Sequence, residues 1–256
     1  WSLDLVWVFL AGVTGGAVNS IAGGGTLLTF PALVGIGVPS IIANASNTVA
    51  LSPGALSSMW AYRGQLAGLR PWAIGLAVPS IAGGLIGAWL LLKTGSDRFD
   101  QIVPFLVLGA TGLFIAQRPA MAWLRRHHPA GVEIPEPAAP NARVIFYQLL
   151  VGIYGGYFGA GIGILMLAAL GFMGFSHIHR MNGLKNLLAV CINGTAAVAF
   201  IVRGVVDWPI AVATGVGAIA GGYAGAAVAQ KVPQGRVRAA IALIGLASGI
   251  WLFFTR

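Results

Sequence analysis

Apolar stretches long enough to form helices in lipid follow one another along this chain, with only short polar stretches between them. Ten such segments fall into two groups of five, one on each side of a polar stretch at residues 118–143. An apolar helix needs about 20 residues to cross about 30 Å of hydrocarbon, so this pattern predicts an all-α polytopic membrane protein. The predicted segments are residues 5–21, 25–38, 41–61, 71–92, 102–117, 144–160, 162–175, 184–202, 209–229 and 238–254.

The composition supports the same class. Of the 256 residues, 57% are hydrophobic and 8% are charged, and the mean hydropathy is +0.86, values far from those of soluble globular domains. The 38 glycines suit membrane helices that pack closely against one another. The single cysteine, Cys191, allows neither a disulfide framework nor a CxxC metal site. We therefore predict membrane lipid as the surroundings and no metal or cofactor.

The two groups of five segments repeat one another. Residues 22–26 return as residues 160–164, and the Ala-Gly-Gly stretch at 82–84 returns at 220–222. Both matches are 138 residues apart along the chain, a distance that we call the repeat spacing. Because this one ungapped spacing holds over residues 22–98, it indicates two homologous halves. The predicted organisation is an N-terminal repeat at 1–117, a cytoplasmic linker at 118–143 and a C-terminal repeat at 144–256.

The net charge of +9 is distributed by membrane side. Short cytoplasmic loops carry an excess of Lys and Arg. With five membrane segments in each half, the loops that contain most of the Lys and Arg residues lie on the same face of the membrane. This face is predicted to be cytoplasmic, which places both termini outside and inverts the halves relative to each other. Because the charge follows the membrane sides, no nucleic-acid partner is predicted. The richer face holds Arg63, Arg70, Arg118, Arg125, Arg126, Arg143, Arg180, Lys231 and Arg236, with Arg238 at its border; the other has Lys93, Arg98, Arg203 and Arg256.

Three consecutive glycines, Gly23, Gly24 and Gly25, interrupt the first long apolar run. The segment that follows has only 14 residues, about 21 Å of helix, which is too short to span an ordinary bilayer core comfortably. We interpret it as the half-helix of a hairpin, whose N-terminus presents unpaired N–H groups to an anion. Gly161 and Gly163 repeat this element in the second half. The alternative is that the glycines only permit tight helix packing.

The next segment of each half carries polar side chains on one helical face. Asn44, Asn47 and Thr48 have the spacing i, i+3 and i+4, which places them together on a helix. At the repeat spacing their counterparts are Asn182, Lys185 and Asn186. These groups either form hydrogen bonds between helices or line a site, and Lys185 either extends to the membrane interface or completes an anion site.

The acidic residues all fall outside the predicted segments. The chain contains only Asp4, Asp97, Asp100, Glu133, Glu136 and Asp207. A carrier for cations usually needs a carboxylate in the membrane core, so the substrate is predicted to be an anion. The predicted segments also contain no paired acids, no Ser–His arrangement and no His/Cys cluster at helical spacing, so neither an enzyme nor a catalytic residue is predicted.

Several stretches resemble the TauE/SafE sulfite exporter family. They are Ala22-Gly23-Gly24-Gly25-Thr26-Leu27-Leu28-Thr29-Phe30-Pro31-Ala32, Ala43-Asn44-Ala45-Ser46-Asn47-Thr48-Val49-Ala50 and Arg180-Met181-Asn182-Gly183-Leu184-Lys185-Asn186-Leu187, together with Asn193-Gly194. The resemblance covers nearly the whole chain. It implies a carrier of sulfite or organosulfur anions in the bacterial inner membrane.

Residues and resemblance together predict a secondary transporter that exports a small sulfur-containing anion, such as sulfite or an organosulfonate, by alternating access around a site near the bilayer midplane. An uncoupled anion channel and an uptake permease for an organosulfonate remain alternatives. The predicted substrate-binding residues are Gly23, Gly24, Gly25, Thr26, Asn44, Asn47, Thr48, Gly161, Gly163, Asn182, Lys185 and Asn186.

Overall fold

A computed structural model describes residues 2–22, 24–127, 139–173, 175, 177–228 and 234–255. This part of the chain forms ten α-helices and one short 3₁₀ helix, and it contains no strand. The helices are α1 (Ser2–Ala22), α2 (Thr26–Gly35), α3 (Ser40–Ala61), α4 (Arg70–Thr94), α5 (Ser96–His127), α6 (Ala142–Tyr157), α7 (Ile162–Phe172), α8 (Ile178–Val202), α9 (Trp208–Val228) and α10 (Gln234–Thr255), and the 3₁₀ helix is Arg63–Leu66.

The all-helical architecture is confirmed, and each of the ten apolar segments corresponds to one helix. Four helices in the described ranges are long and apolar enough to cross a membrane, within α4, α5, α8 and α10. The predicted ends were wrong by six or more residues at three places, one of which is the start of α5, at Ser96 rather than near residue 102. Helix α5 continues into the predicted linker as far as His127, and α8 begins at Ile178 rather than near residue 184. An apolar stretch predicts the part of a helix in lipid, whereas the helix itself continues into the polar interface. Residues 128–138 of the linker lie outside the described residues.

The break in each half is confirmed. Helix α1 ends at Ala22, and α2 begins at Thr26 and has 10 residues; its counterpart α7 has 11. At about 1.5 Å per residue these helices are about 15 to 17 Å long, roughly half of the hydrocarbon core. Both are therefore half-length helices, as predicted for the first.

Three of the acidic residues lie near helix starts. Asp4 lies in the first turn of α1, and Asp97 in the first turn of α5, with Asp100 in the turn after it. These carboxylates remain outside the predicted apolar segments, but the helices extend beyond those segments and include them. Negative charge near a helix N-terminus is favourable because of the helix dipole, which explains why these helices extend beyond the apolar stretch.

Two pairs of parallel helices form the flanks of the fold. Helix α1 packs on α9, where Gly12 faces the backbone of Thr214 and Gly16 faces that of Ala218. A Cβ added at either glycine would overlap these backbone atoms, so the helices touch through their main chains. Small residues in membrane helices permit such close approach.

The second flank is built in the same way by α4 and α6. Gly83 faces Gly152, and Gly87 faces Gly156, again with no room for an added Cβ. The glycines of α4 therefore allow the close helix packing that the high glycine content suggests. In the predicted repeat, α6 is the counterpart of α1 and α4 is that of α9, so the two flanks would be equivalent contacts.

Two further pairs of helices are antiparallel. Helix α3 packs on α8, and α5 packs on α10. A Cβ at Gly183, near the start of α8, would lie 3.4 Å from Tyr62 O, just after the end of α3. We call this the linker side: it carries the 3₁₀ helix, the C-terminal part of α5 and the starts of α6, α8 and α10. The opposite, terminus side carries the starts of α1 and α9 and the loop at residues 36–39.

The single repeat spacing was wrong at the glycine turns. Gly25 caps the N-terminus of α2 and Gly161 caps that of α7, whereas the repeat spacing would relate Gly25 to Gly163. The main chain agrees with the caps, because Leu28 N–H bonds to Gly25 O at 3.0 Å, as Ile164 N–H does to Gly161 O. Helix α7 and the loop after it are each one residue longer than their counterparts, which restores the repeat spacing in α3 and α8.

Candidate functional site

A cavity of about 570 Å³ lies between the two glycine turns and the helices α3 and α8. Ten of the twelve predicted site residues line it: Gly24, Gly25, Thr26, Asn47, Thr48, Gly161, Gly163, Asn182, Lys185 and Asn186. Gly23 lies outside the described residues, and Asn44 does not line the cavity.

The cavity extends to the linker side. Its lining continues along the last turns of α3 to Ser58 and Tyr62, and it includes Gln117 of α5 and Arg238 in the first turns of α10. Ser58 is exposed. Towards the terminus side the lining ends at Phe158, which is buried.

The starts of both half-length helices meet at this cavity. Gly24 and Gly161 have φ angles of +98° and +81°, a backbone conformation that glycine adopts readily. Each turn leaves N–H groups at the helix start: those of Thr26, Ile162 and Gly163 form no hydrogen bond within the described chain. Unpaired N–H groups and the positive ends of two helix dipoles therefore face one space.

Helix α3 contributes neutral groups. Asn47 is buried, and its Oδ1 has no hydrogen-bond partner among the described residues. Thr48 donates its hydroxyl proton to Asn44 O at 2.9 Å. Thr48 consequently presents only hydroxyl lone pairs to the cavity in this state, and not the proton that an oxyanion would need.

Asn44 occupies a different environment from its neighbours. Its side chain is 1% exposed, and its Nδ2 donates to Tyr157 O at 3.1 Å, across to the end of α6. Its Oδ1 is buried without a partner in the described part of the chain. In this structure Asn44 is thus a contact between the two halves.

Lys185 brings a positive charge into the cavity from α8. Its stem passes over Gly163, since a Cβ added at that glycine would lie 3.3 Å from Lys185 Cδ. The side chain of Lys185 forms no hydrogen bond or ion pair with any described residue. The charge therefore faces the cavity beside the N-terminus of α7.

Sequence reasoning missed three lining residues that form one contact. Arg238 donates to Phe114 O at 2.8 Å and to Gln117 Oε1 at 3.0 Å, and its guanidinium lies 4.3 Å from the centre of the Phe114 ring. The available signal was the position of Arg238 at the first residue of a predicted apolar segment, where a cation can reach inward. No carboxylate lines the cavity within the described ranges, so its charge is positive.

The terminus side of the cavity is closed by aromatic contacts. Phe158 packs edge-to-face on Phe30 at 5.3 Å between ring centres, and Tyr157 packs in the same way on Phe99 at 5.7 Å. Tyr157 Oη also donates to Thr94 Oγ1 at 3.2 Å. Phe30, Phe99 and Phe158 are all buried, so these rings pack against one another rather than face open space.

The described residues contain no group of three or more His, Cys, Asp or Glu that could hold a metal ion. The fold combines helices of membrane-spanning length, two helix pairs (α1–α2 and α6–α7) that are each interrupted at a glycine turn, and a polar cavity between them. Together these features define a multi-pass membrane transporter. The family model for the sulfite exporter TauE/SafE matches residues 8–252, and the chain belongs to this family.

Similar proteins come from several bacteria. A probable membrane transporter protein of Haemophilus influenzae is 28% identical over 94% of this chain and 92% of its own length. The probable membrane transporter protein ORF9 of Sinorhizobium sp is 26% identical over 97% and 92%, and YfcA of Escherichia coli K12 is 27% identical over 88% and 79%. The protein is accordingly a multi-pass transporter of a bacterial inner membrane and not an enzyme.

Proposed function

We propose that this transporter exports a small sulfur-containing anion, such as sulfite or an organosulfonate. The observation that carries this proposal is the convergence of two helix N-termini, neutral amides and Lys185 on one cavity without a lining carboxylate among the described residues. Each of these features stabilises negative charge. The family membership supports the same substrate class.

The anion binds where the two half-length helices begin. The N–H groups of Thr26, Ile162 and Gly163 donate to its oxygens, and the Lys185 ammonium supplies the charge. The amides of Asn47, Asn182 and Asn186 complete the polar lining. Arg238 at the linker side adds a second positive charge, which draws anions into the cavity.

The two halves have inverted topologies, and transport proceeds by alternating access between them. Three observations support this arrangement: the equivalent flanks α1–α9 and α4–α6, the antiparallel pairs α3–α8 and α5–α10, and the paired half-length helices. The linker side is the cytoplasmic side. Arg63, Arg70, Arg143 and Arg180 all lie on it, as the excess of cations in cytoplasmic loops requires.

Cysteine labelling tests this orientation. A cysteine at position 130, in a chain with Cys191→Ser, is expected to resist an impermeant thiol reagent in intact cells and to react after the cells are permeabilised. Ready labelling of intact cells would overturn the assigned orientation.

Ligand-dependent thermal unfolding tests the substrate class. Sulfite, thiosulfate, sulfate, taurine and sulfoacetate are each titrated against the purified protein, with chloride as the control anion. A ligand that binds only the folded state stabilises it by about 2.7 kcal/mol at 100 times its dissociation constant. Stabilisation by sulfite or a sulfonate supports the proposal, and equal responses to every anion contradict it.

Flux through vesicles separates export from the alternatives. Accumulation of the bound anion against its gradient in inside-out vesicles is expected of an exporter. Equilibration without accumulation indicates a channel. Accumulation in right-side-out vesicles alone indicates an uptake permease.

A further inference from the structure

Two asparagines at equivalent positions of α3 and α8 have different environments. The side chain of Asn44 is fully buried and bonds to Tyr157 O. The side chain of Asn182 is half-buried, lines the cavity and forms no hydrogen bond within the described part of the chain. Since the two positions correspond at the repeat spacing and hold the same residue type, the difference lies in their surroundings.

Asn44 bonds to one of the last carbonyls of α6, at Tyr157. The last carbonyls of a helix have no partner within the helix. Because a carbonyl only accepts, the Asn44 atom that meets it is the amide nitrogen. This bond lies beside the contacts of Tyr157 with Thr94 and Phe99 that close the terminus side. Asn44 thus fastens α3 to α6 on the closed side of the cavity.

The counterpart of this bond is absent on the open side of the described structure. At the spacing that relates the glycine turns, from Gly25 to Gly161, the position equivalent to Tyr157 is residue 21, near the end of α1. Asn19 of α1 and Asn182 line the same cavity. In the other open state, Asn182 would bond to the carbonyl at residue 21, two positions after Asn19.

A second pair of equivalent positions shows the same asymmetry. Ser58, in the last turn of α3, is exposed and lines the cavity. Its counterpart at the repeat spacing is Ala196 of α8, which is 0% exposed. At this pair of positions, the residue of α3 is open to the cavity and the residue of α8 is buried.

We propose that Asn44 and Asn182 are alternating gate residues. Asn44 bonds to the end of α6 while the cavity is open to the linker side, and Asn182 bonds to the end of α1 when the cavity is open to the terminus side. Each bond breaks as the other forms. The unpartnered Oδ1 of Asn44 is consistent with this role, because an incompletely satisfied amide is released at a lower cost. The inference rests on the alternating access proposed above, but not on the identity of the anion.

The test measures the two open states with one reporter cysteine on each side. In a chain with Cys191→Ser, Ser58→Cys reports the linker side and Ala196→Cys reports the terminus side, through their rates of thiol labelling without any substrate. Ser58→Cys is expected to react readily and Ala196→Cys slowly. A protein that binds no sulfite can still give this result, so failure of the proposed substrate and failure of the gate are distinguishable.

The two gate substitutions should change the rate of thiol labelling at Ala196→Cys in opposite directions. Asn44→Ala removes the bond of the present state and is expected to raise this rate about fivefold, the effect of one hydrogen bond of about average strength. Asn182→Ala removes the bond of the other state and is expected to lower it about fivefold. The matched control is Asn141→Ala, which loses one hydrogen bond to Val144 N–H at the start of α6, away from both gates, and should leave the rate unchanged.

Two results would overturn the gate. One is an equal change in both variants, which indicates general loosening, and the other is no change in either. Asn182 is not buried, so Asn182→Ala should fold even if Asn44→Ala does not. An unchanged rate in Asn182→Ala would then be sufficient to reject the proposal.

Discussion

The two halves of this protein place different chemistry on equivalent helices. At matched positions, α3 carries Asn47 and Thr48, and α8 carries Lys185 and Asn186. All four line one cavity. A site shared by two related halves needs its charge only once, so one half can specialise while the other keeps neutral groups. Under the proposed two-repeat organisation, the comparison teaches that duplication would fix where the site lies and leave its chemistry free to diverge.

The flanks behave in the opposite way. The α1–α9 and α4–α6 pairs both depend on glycine contacts between main chains, in both halves. Packing of membrane helices gains no hydrophobic driving force from lipid, so it relies on such close contacts. Substitutions in the flanks should therefore destabilise the protein most. Substitutions of cavity residues should impair function without lowering stability.

The largest expected effect is on a flank. At Gly87 of α4 an added Cβ would overlap Ile153 O and lie 2.6 Å from Tyr157 N. Backbone atoms cannot move aside as side chains do, so Gly87→Ala should destabilise the protein by about 3 kcal/mol, the upper end of typical overpacking. In detergent the unfolding temperature should fall by about 6 to 12 °C.

The matched control for this substitution is Gly112→Ala in α5. A Cβ at Gly112 would have no neighbour within 4 Å. Alanine is the better helix former by up to about 1 kcal/mol, so this variant should be as stable as the parent or slightly more stable. If both variants unfold alike, the flanks are not held by main-chain contact.

The second effect is on the charged half of the site. Lys185→Met keeps an apolar stem of similar length and removes the ammonium, so folding should survive while anion binding weakens. A charged hydrogen bond contributes about 1.5 to 3 kcal/mol, which corresponds to an increase in Kd of about 10- to 150-fold. Titration of thermal unfolding with sulfite measures it.

Lys93→Met is the control for this loss of charge. Lys93 is near the end of α4, with Nζ 4.9 Å from the centre of the Trp89 ring, and it does not line the cavity. Its substitution should leave Kd unchanged. An unchanged Kd in Lys185→Met would instead make Lys185 an anchor at the membrane interface, with the anion held by amides and main chain alone.

Much of this arrangement could be predicted from the sequence, for physical reasons. Polar groups such as Asn47 and Lys185 stand out within apolar helices because lipid cannot satisfy them, and the glycine break stands out because it ends a helix inside lipid. The partner of Asn44 could not be predicted in this way. It is the main-chain carbonyl of Tyr157, in the other half of the chain, and a carbonyl carries no sequence signal.

The exact alignment of the two repeats at the glycine turns also could not be established from the sequence. Helix α7 and the following loop each contain one extra residue relative to α2 and its loop. In Gly- and Ala-rich sequence, an alignment of the two repeats that ignores such insertions matches nearly as many residues as the correct alignment. The shorter spacing at the turns therefore appears only when the helix starts at Gly25 and Gly161 are compared.

The smallest expected effect concerns the contact between the second glycine turn and Lys185. A Cβ at Gly163 would lie 3.3 Å from Lys185 Cδ and 3.8 Å from its Cγ. The flexible stem must then move by a few tenths of an ångström, so Gly163→Ala should weaken anion binding about two- to fivefold, or less than about 1 kcal/mol. Stability should be unchanged or higher, since alanine favours the helix, and the N–H of residue 163 is retained.

A double-mutant cycle decides whether this effect passes through Lys185. In a Lys185→Met chain, Gly163→Ala should have a much smaller effect on Kd, because the ammonium that it displaces is gone. Gly194→Ala in α8, where an added Cβ meets nothing within 4 Å, should not change Kd in either background. An undiminished effect of Gly163→Ala without the ammonium would mean that the glycine itself shapes the anion site, and the division between a neutral first half and a charged second half would then be incomplete.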